Sequence, residues 1–334
     1  MQQLPREVND PRQADYNNQI KTAFVPNYEK GQDTIINIDY SSQEAHLAAV
    51  IANDQDMIGS FVNGEDVHKA TAALMEDIPY DDVTKDQRSA AKKLTFGLMY
   101  GKSELGFADE MGISKEEAEK KFAMYFKGKP KIKLAIDQAQ EELKNNGYTE
   151  VPLSGFQRVT NEIWSKDYAT RSAALRTAFN SKIQGGSAYI STMAVIYVNK
   201  WLRQSKYNAN LMLTVHDSIT ISSSFEDAPA VAYGVKYIMT HLPIKELQEV
   251  TYKGKKVEGF MDAEIGFGKS YGFEAEVSID ELKSFSSIDG FYEYYYAHKL
   301  LRDKHDNHMM SDDEYETATK ELDAKKAYYQ SLTK

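Results

Sequence analysis

The stretch 211-LMLTVHDSITIS-222 alternates apolar and polar residues on either side of a His-Asp pair, which predicts two strands joined by a tight turn. His-Asp suits a two-residue hairpin poorly, because Asn-Gly or Asp-Gly meets the required backbone angles better. A local rule broken between two good strands points to turn residues selected for something other than folding. Far upstream, the β-branched run 33-DTIINIDYS-41 reads as a second buried strand that ends in polar residues. If the two segments are neighbours in one antiparallel sheet, Asp39 and Asp217 converge at one end of it.

Two converging carboxylates suit a pair of divalent cations and phosphoryl-transfer chemistry. One metal lowers the pKa of an attacking hydroxyl, the other neutralises charge on a leaving phosphate, and hard oxygen ligands suit magnesium. Structural alternatives stay open. Ser41-x-x-Glu44 matches a capping box, so Asp39 or Ser41 could serve only to start the following helix, and Asp217 could be an ordinary turn residue.

Outward from these strands the chain is mostly helical. The segment 41-SSQEAHLAAVIA-52 has apolar residues at helical spacing, and residues 84 to 145 read as several helices broken near 127-KGKPK-131. A polar segment with Pro152 and Gly155 precedes a long helical stretch at about 165 to 205. Beyond it lie a surface hairpin at 252-YKGKKVEG-259, the segment 262-DAEIGFG-268, and charged amphipathic helices over the last fifty residues, including 291-FYEYYYAHKLLRDK-304.

The helix at 88-RSAAKKLTFGLMYG-101 sets Arg88, Lys92, Phe96 and Tyr100 at four-residue intervals, on one face. At about 1.5 Å per residue this stripe spans roughly 18 Å, the length of an extended nucleoside triphosphate. Two cations followed by two aromatics match phosphates at one end and a base at the other. The alternative is an amphipathic helix with its aromatics in the core and its cations in water. Gly97 and Gly101 are an extra cost to a plain core helix.

Composition constrains less. The 334 residues carry a formal net charge of −10, which argues against a surface that grips nucleic acid everywhere. Binding in a cleft depends on local potential, and part of the acidic excess sits in 76-EDIPYDD-82 and 311-SDDEYE-316. The absence of cysteine excludes disulfides and thiolate zinc sites and fits a reducing cytoplasm. No run approaches the ~18 apolar residues of a membrane span, and 1-MQQLPREVNDPRQ-13 lacks the apolar core of a secretory signal.

Together these segments resemble DNA polymerase family A, the bacterial polymerase I type. The segment 38-IDYSSQEAHLA-48 is similar to its first motif, the 88–101 helix to its nucleotide-binding finger helix, and 215-VHDS-218 to its third motif. Lesser matches at 1-MQQLP-5, 64-GEDVHKATA-72, 153-LSGFQR-158 and 176-RTAFNSKIQGGSA-188 keep the family's order, over about residues 1 to 270. The resemblance implies an α/β (α+β) fold in which a palm with an antiparallel sheet carries a helical fingers insertion. The palm would occupy 1–47 and 166–284, the fingers 48–165, and a C-terminal helical extension 285–334.

It further implies a DNA-directed DNA polymerase. Asp39, Asp217 and the Tyr40 backbone carbonyl would bind two Mg2+ ions, and Glu44 would reject a ribose 2′-hydroxyl. Arg88, Lys92 and His68 would hold the triphosphate, with Lys92 also protonating pyrophosphate as it leaves. Phe96 would pack on sugar and base, and Tyr100 would guard the template side. Arg176, Asn180, Gln184 and His216 would touch the primer–template, whose close approach would explain the Gly185-Gly186 pair.

Two positions depart from the pattern. Ser218 stands where most of the family has a second acid, and His46 replaces a usual arginine, weakening a contact near nucleotide or template. Because the chain starts almost at the first palm motif, it is expected to contain no thumb or exonuclease domain and to work with a partner polypeptide that carries them, in a split, phage-like replication enzyme of the host cytoplasm. For residues 285 to 334 the two readings are a helical cap on the palm and a docking element for that partner. Rival functions are a single-subunit, phage-type RNA polymerase, which also uses a His-Asp-Ser turn, and a non-catalytic polymerase-like accessory subunit.

Overall fold

The computed structural model describes residues 20–333, so the 1-MQQLP-5 match lies outside the described residues. In chain order the helices are α1 (Gln43–Ala52), α2 (Gln55–Val62), α3 (Val67–Glu76), α4 (Lys85–Met99), α5 (Glu104–Met111), α6 (Lys115–Gly128), α7 (Pro130–Asn146), α8 (Tyr168–Gln204), α9 (Ala228–Thr240), α10 (Lys245–Gln248), α11 (Ile279–Lys283), α12 (Ile288–Asp306), α13 (Asp312–Ala324) and α14 (Lys326–Ser331). The strands are β1 (Thr34–Tyr40), β2 (Tyr148–Glu150), β3 (Gln157–Val159), β4 (Ala209–Val215), β5 (Ser218–Ser223), β6 (Thr251–Tyr252), β7 (Lys255–Lys256), β8 (Ala263–Ser270) and β9 (Phe273–Glu276). The chain divides into two compact units. One comprises the chain up to Ser41, Met193–Thr240 and Ala263 onward, and the other comprises Ser42–Thr192 and His241–Asp262.

The first unit is built on a five-stranded antiparallel sheet in the order β4-β5-β1-β8-β9. Its central strand is the isoleucine-rich run of residues 34–40, whose branched side chains suit a pleated, two-sided packing surface. Side chains alternate along a strand, so Ile36, Ile38 and Tyr40 share one face of β1 while Asn37 and Asp39 share the other. Helix α9 packs on β1 and β8, and its Val231, Ala232, Val235 and Met239 are fully covered. Tyr40 is buried, and its hydroxyl donates to the Met239 carbonyl at 2.7 Å. The last fifty residues form helices α12 to α14 that pack on one another, and α12 also packs on β8, where Phe291 meets Phe267 edge-on at 6.4 Å.

The second unit is helical, with two small hairpins, β2–β3 and β6–β7. Several of its helices start on side chains that satisfy the first free backbone amides. Asp54 caps α2 and Asp66 caps α3, while Thr84 and Gln87 form a capping box on α4. The break expected near residues 127–131 falls where α6 ends at Gly128 and α7 begins at Pro130, a residue pre-set for a first helical turn. Leu47, Met57, Leu94, Met99, Phe107, Tyr125 and Phe179 lie at the centre of this core. Each such side chain contributes roughly 1.5–3 kcal/mol by its burial.

One reading of the sequence is corrected here, and packing accounts for a second position. A Cβ on Gly185 would stand 2.4 Å from Val151 Cγ2, and one on Gly186 would stand 2.5 Å from Leu47 Cδ2. The glycine pair therefore answers to side-chain packing on α8, and DNA is not needed to explain it. His46 is buried, stacked on Phe61 at 3.6 Å and edge-on to Phe260 at 5.2 Å, with Nδ1 3.2 Å from the Ser42 carbonyl. It is a core side chain here.

Candidate active site

Strands β4 and β5 are joined through the two residues His216 and Asp217, with Val215 paired to Ser218. His216 has φ +55°, a left-handed conformation that an L-residue adopts at a cost and glycine adopts freely. The adjoining strand β1 is paired so that Asp39 lies opposite Ser218 on one side and Glu264 on the other. Asp217 is thus one residue along the chain from the cross-strand neighbour of Asp39. Both aspartates are half-buried and His216 is exposed. Burial raises the Tyr40 phenol far above its ordinary range, and the negative charge of Asp217 adds to that effect.

The structural alternative for the 41–44 segment is not realised. Helix α1 is preceded by Ser42 in a left-handed conformation, with no side-chain cap. Glu44 instead accepts a hydrogen bond from the hydroxyl of Tyr100.

Among the described residues no group of three or more His, Asp or Glu side chains is arranged to hold a metal. A donor set of two carboxylates nevertheless fits magnesium. This ion keeps several waters and is bound through one or two carboxylates plus substrate phosphates, whereas calcium takes a larger oxygen cage.

In the other unit α4 carries Arg88, Lys92 and Phe96, with Tyr100 as its C-cap residue. The residues that α4 buries are Ala91, Leu94, Thr95, Leu98 and Met99, so the predicted stripe lies off the core face. Lys92 and Tyr100 are exposed, while Arg88 and Phe96 are half-buried. The Phe96 ring lies 6.1 Å from that of Tyr100 and 5.5 Å from that of His68, and Lys92 Nζ is 5.9 Å from it.

His68 is only 3% exposed, and neither ring nitrogen has a hydrogen-bond partner. Burial pushes its pKa down to about 4; Asp66 pulls the other way, and Lys92 and Arg88 add to the fall. A neutral imidazole beside two cations can donate one hydrogen bond to an anion.

On α8, Arg176, Asn180 and Gln184 recur every four residues. Arg176 and Gln184 are exposed, and Arg176 Nη1 donates to Ser172 Oγ at 2.8 Å. Asn180 Oδ1 is buried without a partner. Gly101, just past α4, approaches the main chain of α8 so closely that a Cβ there would stand 2.0 Å from the Arg176 carbonyl oxygen. The residue that sequence reasoning passed over is Asp66. It stands two residues before His68, and its side chain binds the α3 amides and Arg88. An acid just before a helical run is the signal that marked it.

The family model described as DNA polymerase family A matches residues 1–272. The chain belongs to DNA polymerase family A. It is 33% identical over 307 residues to the DNA polymerase of Bacillus phage SP01, covering 90% of this chain and 32% of the phage protein. With DNA polymerase I of Pseudomonas aeruginosa it shares 33% identity over 237 residues, 71% of this chain and 25% of the bacterial protein.

One similar solved structure is the POL domain of Pol1 from M. smegmatis in complex with DNA primer-template and dNTP. It has a TM-score of 0.68 and 26% identity, and the match covers 81% of this chain and 44% of that one. This family A chain therefore spans about a quarter to a third of the length of these curated relatives. Covering 90% of the chain, the phage match must run beyond residue 272, where the family model stops, into the C-terminal segment.

Proposed function

We propose that this chain is the catalytic portion of a template-directed DNA polymerase that joins deoxynucleotides to a primer 3′ end by a two-metal mechanism. The observation that carries this reading is the pairing of Asp39 with Ser218, which brings Asp217 next to the end of β1 in a chain of family A. Asp39 and Asp217, with the Tyr40 carbonyl, would hold two Mg2+ ions. Those ions supply a lowered hydroxyl pKa and a neutralised leaving phosphate.

The remaining work falls to the chain's own side chains. Arg88 and Lys92 bind the triphosphate by charge, and neutral His68 donates one hydrogen bond to it; the buried, partnerless ring nitrogens support that role. Lys92 delivers a proton to the departing pyrophosphate. Phe96 packs on the sugar and base, and Tyr100 stands at the template side. Glu44, held by Tyr100, meets a ribose 2′-hydroxyl with a carboxylate and excludes it. Arg176, Asn180, Gln184 and His216 contact the primer–template.

In the same reading residues 1–47 and 166–284 form the palm, 48–165 the fingers, and 285–334 a C-terminal helical extension. A partner polypeptide supplies the thumb and the 3′–5′ exonuclease, as expected of a split replication enzyme working in the host cytoplasm if phage-encoded. No described helix is long and apolar enough to cross a membrane.

Primer extension with Mg2+, in the presence and absence of the candidate partner, tests the assignment. Wild type should extend, and Asp39→Asn and Asp217→Asn should not. Equal extension by all three removes the catalytic role, and a preference for ribonucleotides overturns the choice of substrate.

A further inference from the structure

Asp66 holds three partners with one carboxylate. Its Oδ1 accepts from the backbone amides of His68 and Lys69 at 2.9 Å each, which caps α3. Its Oδ2 accepts from Arg88 Nε on α4 at 2.5 Å. Resting on the reading that Arg88 and His68 bind triphosphate, we propose that Asp66 is a positioning residue that locks these two into one pocket.

The geometry gives the reason. A guanidinium presents five N–H donors in a fixed fork. Asp66 engages it through Nε, so the two terminal nitrogens, four of the five donors, remain for phosphate oxygens. The same carboxylate fixes the first turn of α3, which carries His68. An arginine otherwise loses much of its rotamer freedom on binding a ligand, and a guanidinium already tethered loses less.

The surroundings of Asp66 favour its charged form. Burial alone raises the Asp66 carboxyl, but the Lys69 and His68 amides and the Arg88 guanidinium outweigh it and hold the group below the usual range. A fixed negative charge near a triphosphate repels it. On Coulomb grounds alone, neutralising Asp66 would therefore tighten nucleotide binding, whereas loss of positioning weakens it. The two effects have opposite signs, so one measurement separates them.

Asp66→Asn keeps a good helix cap, yet turns an amide donor toward Arg88 Nε or leaves that nitrogen without its acceptor. Asp66→Ser keeps the cap and removes any reach to Arg88, and serves if the asparagine variant is unstable. Calorimetric titration with dATP of the full chain and Mg2+, bound to a primer–template whose primer ends in a 2′,3′-dideoxynucleotide and whose next template base is thymine, gives the affinities without turnover, and thermal melting checks the fold.

We expect Asp66→Asn to weaken dATP binding about fivefold or more with the melting temperature retained. In an Arg88→Ala background the same change should cost less than about twofold, as coupled neighbours require. Unchanged or tighter binding by Asp66→Asn overturns the inference, and so does additivity of the two substitutions. If Arg88→Ala binds dATP like the wild type, or the wild type does not bind it, the triphosphate reading itself fails first.

Discussion

The Tyr100 hydroxyl donates a hydrogen bond to Glu44, joining the residue that closes α4 to the first turn of α1. A carboxylate fixed in this way presents a defined wall where a free glutamate would swing aside. Glu44→Ala should raise ribonucleotide incorporation relative to deoxynucleotide on the order of 10- to 100-fold, the range that one added or missing group gives in a shaped pocket. Tyr100→Phe removes only the hydrogen bond and should relax discrimination less. Extension with mixed nucleotide pools followed by alkaline cleavage checks both, and equal discrimination in all three proteins denies Glu44 its role.

Asp39 and Glu264 are direct cross-strand partners on one sheet face. Like charges so placed are destabilising by roughly 0.2–1 kcal/mol. Asp39→Asn should thus leave the fold as stable as before or slightly more so, while extension is lost if Asp39 is the metal ligand proposed above. Chemical denaturation and primer extension on the same preparation test this. A variant that loses activity only because it unfolds would count against the metal assignment.

The hairpin turn should show the same trade from another side. His216 holds φ +55°, where glycine is at ease. His216→Gly is expected to gain up to about 1 kcal/mol in denaturant stability and to weaken primer–template binding in a fluorescence anisotropy titration. A variant that is both less stable and fully able to bind DNA would mean that the histidine is there for folding.

The five-stranded sheet and the helical unit were legible because local pattern and tertiary need coincide in them. Residues 33–41 and 211–222 read as strands, and 84–145 as helices broken at a proline, and strands and helices lie there. Where the reading missed, the deciding atoms are distant in sequence. Gly185 and Gly186 are small because Val151 and Leu47 press on them, and His46 is there because Phe61 and Phe260 receive its ring. Neither fact has a local signature. The hold of Asp66 on Arg88 left no mark for a related reason, since a cap reads the same in sequence whether or not its second oxygen holds an arginine.

Gly101 couples a conformational demand to a steric one. Its φ is +74°, and a Cβ would stand 2.0 Å from the Arg176 carbonyl oxygen, an atom of main chain that cannot rotate away. Gly101→Ala should destabilise the chain by about 2–4 kcal/mol, combining left-handed strain with a forced separation of α4 and α8. Gly112, also left-handed but with open space around it, is the control. Gly112→Ala should cost only the conformational part, about 1 kcal/mol. Urea denaturation of the two variants gives the difference, and equal losses would show that the contact with Arg176 is soft.

Glu274, on β9, supplies a pH dependence whose sign is fixed by its surroundings. Burial raises its carboxyl to about 7, against the Gly272 amide and Lys21, which lower it, and with Glu276, which raises it further. One oxygen accepts from the Gly272 amide at 3.0 Å, and the other is buried without a partner. Between the ordinary value near 4.5 and about 7 the folded chain holds a proton that the unfolded chain has released. Stability from this group is therefore complete below the lower value and is lost as pH rises through the upper one, by roughly 3 kcal/mol across the window. His68 slopes the other way, because a histidine depressed to about 4 must charge on unfolding in acid. Glu274→Gln isolates the carboxylate: it should be more stable than wild type at pH 8, match it near pH 4.5, and leave the histidine slope intact. Melting temperatures across that range decide the matter, and parallel curves for the two proteins would remove Glu274 from the account.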